Sequence, residues 1–203
     1  LLRRAPLVVA ALLVVATPLA SPSATATASS GVAQNVEPSL GAPLTLRMST
    51  LFRAIATASV ATAAPLFFPQ SAYVAMKTGQ IPAPATDYHD RLLAFYRLDL
   101  ATYHQRLDPR ATATFIGVNV SGTRAGWIPA GDCENSIGYW HVPGVRLVYR
   151  LDGVVRSVAV DSLISWRGVW YVVHLGPNPR PENVGTLDAP ASGSGAAGPP
   201  GGC

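Results

Sequence analysis

Asp161 and His174 are the most chemically suggestive pair in this 203-residue chain. A two-residue turn at Arg167-Gly168 would set Trp166 against Val169, Leu163 against Val172 and Asp161 against His174. An aspartate facing an imidazole across two strands can hold one tautomer and raise its basicity, as the general base of a small hydrolase or isomerase requires. The same two residues can also make a plain surface ion pair of little energy. A β-bulge between Asp161 and Ile164 would cancel the pairing altogether.

A second group is Trp127, Tyr139, Trp140 and His141, set near Asp132 and Glu134 in a Gly- and Pro-rich stretch. On a long loop beside a sheet these rings could form a stacking platform for sugars or the mouth of an apolar site. They could equally be loop aromatics folded onto the edge of the core. Cys133 lies between two acids, which disfavour a thiolate, so a nucleophilic role is poorly supported. In an exported chain its plainer reading is a disulfide to Cys203, with a free thiol or an intermolecular bridge also open.

Other chemistries find no footing. His89, His104, His141 and His174 do not fall at metal-ligand spacings, so no metal is expected. Lys77-Thr78-Gly79 lacks the Ser-x-x-Lys that would make a penicillin-binding site. There is no G-x-S-x-G, phosphate loop or dinucleotide fingerprint, and no cofactor is expected. The net charge is +4, and Arg3 and Arg4 lie in a segment that reads as a targeting signal. The other arginines alternate with apolar residues, so a nucleic-acid partner is not expected.

The elements that must position these residues centre on 145–175. Asp152-Gly153 and Arg167-Gly168 punctuate this stretch into three antiparallel strands. Across the first turn, Leu151 meets Val154, Leu147 meets Val158 and Val145 meets Val160, which makes an almost wholly apolar face. A helix capped by Thr86 or Asp87 and running to about Leu107 supplies the matching surface. Leu92, Tyr96, Leu100, Tyr103 and Leu107 recur at helical spacing on one side of it. Residues 113–120 read as a further strand and 121–144 as irregular.

The ends of the chain read differently. Residues 1–24 have the three parts of a secretory signal: Arg3-Arg4, a short apolar run from Pro6 to Val15, and small residues after it. The run is too short for a permanent membrane anchor. Residues 25–80 read as an Ala/Ser/Thr-rich linker or, from Met48, as a second signal-like segment, so translation could start at Leu1 or Met48; with a start at Leu1 the run from Met48 reads as an interfacial or core helix. Residues 177–203, rich in Pro and Gly, read as a disordered tail.

The expected organisation is thus an α+β domain over 81–176, one long amphipathic helix on a small antiparallel β-meander. A cone-shaped NTF2-like or cystatin-like fold is the nearest analogy. Gly126-Trp127-Ile128-Pro129, Ile137-Gly138-Tyr139-Trp140-His141, Pro143-Gly144-Val145-Arg146 and the run from Ser165 to Leu175 resemble a group of small uncharacterised secreted or envelope proteins of actinobacteria. That resemblance implies export and no particular activity. The leading expectation is a secreted or cell-envelope, non-catalytic module that binds a small ligand or an envelope component. The alternative is a small hydrolase or isomerase built on Asp161 and His174.

Overall fold

The computed structural model describes residues 32–107, 112–120 and 125–202. The expected signal segment, residues 1–24, lies outside them. The architecture is α+β, with helices packed on one face of a six-stranded antiparallel sheet. No helix among the described residues is long and apolar enough to cross a membrane.

Helix α1 (Ala42–Ala56) starts with Pro43 in its first turn, where a missing N–H costs nothing. Its Leu44, Met48, Leu51, Phe52 and Ile55 form one buried stripe. The short α2 (Val60–Ala63) is capped by Ser59, whose side chain accepts from the Thr62 N–H. After a 3₁₀ turn, Ala64–Leu66, Phe68 donates its N–H to the Val172 carbonyl, 2.9 Å. Helix α3 (Gln70–Lys77) then buries Ala72, Tyr73 and Met76.

Residues 25–80 were expected to be a linker or a second signal, with an interfacial or core helix from Met48 as the alternative. From Leu44 to Met76 they supply a large share of the hydrophobic core of the described residues. The Ala/Val/Leu richness that suggests a signal is also the pattern of a buried helix, and here tertiary packing decides between them.

The expected long helix is present as three contiguous pieces: α4 (Pro84–Asp87), a π-helical stretch (Tyr88–Leu93) and α5 (Ala94–Arg106). Leu92, Tyr96, Leu100, Tyr103 and Leu107 are all buried, as their spacing predicts. Phe67 stacks on Tyr96 with ring centroids 4.4 Å apart, tying α5 to the segment before α3.

The strands are β1 (Ala113–Asn119), β2 (Gly126–Ile128), β3 (Tyr139–Leu151), β4 (Val154–Trp166), β5 (Val169–His174) and β6 (Ala191–Ser192). Their order is β1-β3-β4-β5, with β2 on β3 and β6 on β4. Both hairpins turn where expected, with positive φ at Asp152, Gly153, Arg167 and Gly168, the geometry that matches strand twist. Leu151↔Val154, Leu147↔Val158 and Val145↔Val160 pair as the two-residue turn dictates.

The segment from residue 177, expected to be a disordered tail, is tied to the body of the protein. Asp99, 1% exposed on α5, accepts from the backbone N–H of Gly176 (2.9 Å) and of Thr186 (2.9 Å). It also accepts from Arg180 Nη1 at 2.5 Å, and the Arg180 guanidinium lies 4.4 Å over the Phe95 ring. The Asp188 N–H donates to the Tyr103 hydroxyl, 3.1 Å, and β6 then pairs with β4. A Pro/Gly-rich composition predicts that such a segment cannot build its own core; here it borrows one.

Asp99→Ala leaves the buried Arg180 guanidinium without its counter-charge, and breaking such a pair typically costs about 3–5 kcal/mol. Urea denaturation of the two proteins measures the loss. A difference below about 1 kcal/mol, the range of surface pairs, would count against this anchoring role.

Candidate functional site

A cavity of about 770 Å³ opens between the end of the sheet and the helices. Strand alternation sets its sheet side: Tyr139 and His141 from β3, Ser162 and Ile164 from β4, and His174 from β5. The helical side presents Tyr73, Met76 and Lys77 from α3, with Asp87, Arg91 and Leu92 opposite. Pro199, Pro200 and Gly202 of the C-terminal segment lie at the same cavity.

Asp161 and His174 both border this cavity but do not pair as expected. The ladder shifts register between Ser162 and Leu163, so His174 stands opposite Ser162, and the Asp161 N–H donates to the Leu175 carbonyl at 3.1 Å. Among the described residues no hydrogen bond joins the two side chains. The bulge adds one residue to β5 and turns the pairing by one position. Asp161 also borders a smaller cavity of about 390 Å³ shared with Arg146 and Asp188. Burial, then the neighbouring carboxylates of Asp188 and Asp99, push its pKa up to about 7. His174 is pushed down to about 4, first by burial and then by the positive charges of Arg91 and Arg180.

In place of that pair the fold joins His141 and Ser162. His141 Nε2 lies 2.8 Å from Ser162 Oγ, and its Nδ1 lies 2.6 Å from the Gly202 carbonyl oxygen. The Gly202 N–H also approaches Nδ1, but at 3.3 Å; the carbonyl contact is the shorter and a carbonyl can only accept, which favours the tautomer with the proton on Nδ1 and leaves Nε2 to receive the Ser162 hydroxyl. Burial lowers the His141 pKa, and the hydrogen bond to the Gly202 carbonyl partly offsets that.

The helical side is held by an ion pair with a tyrosine across it. Arg91 grips Asp87 with both nitrogens, Nε to Oδ1 at 2.7 Å and Nη2 to Oδ2 at 2.6 Å. The Tyr73 hydroxyl donates to Asp87 Oδ2 and accepts from Arg91 Nη2 at 3.0 Å. Arg91 and Tyr73 hold the Asp87 carboxyl below its usual range, against the opposing effect of burial. Lys77 donates to the Cys133 carbonyl at 3.1 Å, and burial lowers its pKa.

The four aromatic-cluster residues do not form a single platform. They lie on β2 and β3, not on a loop, and the two-residue period of β3 divides them between faces. Tyr139 and His141 face the cavity. Trp127 and Trp140 pair on the other side, rings 5.6 Å apart, and Trp140 Nε1 donates to the Asn35 carbonyl at 3.0 Å. Cys133 borders the cavity and is not a free thiol. Cys203, its expected partner, lies outside the described residues. Among the described residues no cluster of three or more His, Cys, Asp or Glu could hold a metal ion.

Sequence reasoning missed Ser162, Tyr73 and Arg91, and set Lys77 aside together with its Lys-Thr-Gly match. Asp87 and Arg91 stand four apart, a legible helical ion-pair spacing. Ser162 becomes visible only once β3 is extended back to Tyr139, which brings His141 near it. Tyr73 and Lys77 sit in a stretch whose composition argued against a folded role.

The two shifted groups tilt stability in opposite directions. His174 is neutral in the fold down to about pH 4 but charges near 6.5 when unfolded, so its contribution is lost as pH falls through that window. Asp161 stays protonated in the fold up to about pH 7 while the unfolded carboxyl ionises near 3.8, so stability falls as pH rises between those values. Between pH 4 and 6.5 the two offset each other. Denaturation series should therefore diverge: relative to wild type, His174→Gln loses stability as pH rises, and Asp161→Asn gains it. Parallel curves for both variants would remove the case for either shift.

Compared with family models, with curated proteins and with solved structures, the chain matches none.

Proposed function

We propose that this protein is an exported, non-catalytic binding module of the cell envelope, and that its ligand sits in the cavity between the sheet and α3. The carrying observation is the cavity itself. Its volume of about 770 Å³ falls within the range of about 300–1,000 Å³ typical of small-molecule sites. Phe68, Met76, Leu92 and Ile164 offer an apolar lining, and His174, Tyr139, Lys77 and Asn178 offer hydrogen-bonding groups. That mixture suits a small organic molecule with an apolar body and acceptor groups. The signal-like composition of residues 1–24 and the resemblance of residues 126–175 to actinobacterial envelope proteins support export. An envelope component presenting the same chemistry is a natural partner.

A fragment screen followed by NMR tests the binding reading. Ligands should shift the signals of His141, His174 and Ile164, and Ile164→Trp, which fills the cavity, should weaken them at least about tenfold, one lost apolar contact surface being worth more than 1.4 kcal/mol. Hits that shift only surface residues, or that bind Ile164→Trp equally well, would refute it.

One observation favours a second reading, hydrolysis at Ser162. The His141 tautomer set by Gly202 is the one that can take the Ser162 proton as Oγ attacks an acyl carbon, and later return it to the leaving group. A fluorophosphonate probe should then label Ser162, and His141→Gln should abolish the labelling. An unlabelled wild-type Ser162 leaves the binding module as the only reading.

A further inference from the structure

The C-terminal segment meets β3 at every third residue. Gly195 sits against the Arg146 guanidinium, Gly198 against the backbone of Pro143 and Gly144, and Gly201 against the His141 carbonyl and Gly126. A Cβ at Gly198 would stand 2.6 Å from the Pro143 carbonyl oxygen, and one at Gly195 or Gly201 would overlap its neighbour outright. The intervening Ala196, Pro199 and Pro200 are exposed.

Polar contacts hold the backbone at each step. Asn119 Nδ2 donates to the Gly195 carbonyl at 2.7 Å, the Gly198 N–H donates to the Gly144 carbonyl at 3.1 Å, and His141 Nδ1 donates to the Gly202 carbonyl at 2.6 Å. The step from Gly198 to Gly201 has the period of a polyproline II chain, which has three residues per turn, while Gly195, at positive φ, belongs to the turn that leads into it. Pro199 and Pro200 preset the φ such a chain needs. The track ends at the cavity, where Pro199, Pro200 and Gly202 stand among the lining residues.

We propose that this track is a binding site for extended peptides with glycine at every third position and proline between, and that residues 194–202 are its occupant in cis. The inference goes beyond the binding reading above, since the track runs along β3 and reaches the cavity only at its end. Recognition comes from three places where only glycine fits and from three donor–acceptor contacts to peptide backbone. An incoming peptide displaces the tail and places its own carbonyl on His141 Nδ1.

The test uses the full-length chain carrying Gly198→Val and Gly201→Val, with reductant present, so that its own tail cannot seat. The probe is a synthetic peptide of residues 193–202. It should bind saturably and shift the signals of Asn119 and His141. A peptide with valine at the two glycine positions should bind at least about tenfold more weakly. The wild-type chain should also bind the glycine peptide at least about tenfold more weakly, because its tail competes at roughly millimolar effective concentration.

Equal binding of the two peptides, or no binding of either, overturns the proposal. If that variant still takes small-molecule probes in the cavity, the binding-module reading survives. Should the variant fail to fold, hydrogen exchange on the wild-type chain decides. The Gly198 amide should be protected by its bond to Gly144, and exchange at the rate of an unstructured peptide would overturn the proposal.

Discussion

The Asp99 carboxylate is the interaction on which the arrangement around the cavity depends. It sits on α5 at 1% exposure and gathers two backbone N–H groups, the Thr186 hydroxyl and the Arg180 guanidinium. Burying a carboxylate is costly unless its lone pairs are filled, and here donors come from the segment that follows β5. That requirement turns the chain back along α5 after residue 176. It thereby delivers Asp188 to Tyr103, β6 to the edge of β4, and the terminal glycines to β3. A composition too poor in apolar residues to fold alone is organised by one charge that could not otherwise stay buried.

A second constraint is the bulge beside Ser162. One residue of offset in the β4–β5 ladder replaces Asp161 with Ser162 opposite His174. Because side chains alternate between faces with period two, a single inserted residue changes which chemistry the cavity holds. The result is a lining of two imidazoles, a serine hydroxyl and a half-buried lysine. Asp161 is left bordering a second, smaller cavity, where burial keeps it protonated to about pH 7. The lining mixes polar and apolar groups in nearly equal measure.

The edges of the sheet show how the remaining segments are used. Phe67 bridges to Val172 alongside β5, and the Gln34 side chain bonds to Ser165 and to the N–H of Arg167 on the hairpin. Trp170, 2% exposed, donates its indole N–H to the Pro38 carbonyl at 3.0 Å. Strand edges and apolar faces left uncovered invite association with other chains. Here segments from both ends of the described chain cover them.

Much of the fold was legible in the residue pattern, and the reason is local. Asp152-Gly153 and Arg167-Gly168 supply the positive φ of tight hairpins, and such turns set register nearby without help from the rest of the molecule. The spacing of Leu92, Tyr96, Leu100 and Tyr103 likewise determines a buried helical face. The site was less legible, because its members come together over long separations. Tyr73, Arg91, His141, Ser162 and Gly202 share no motif, and their meeting depends on the length of β3, the bulge in β5 and the path of the tail. Sequence by itself determined the hairpins, the amphipathic helix and the antiparallel sheet, since each follows from periodicity and turn chemistry within a few residues. Tertiary structure alone decided that residues 42–77 belong to the core, that the tail is bound, and that His141 faces Ser162. Those outcomes turn on which buried polar groups and which apolar faces find partners far along the chain.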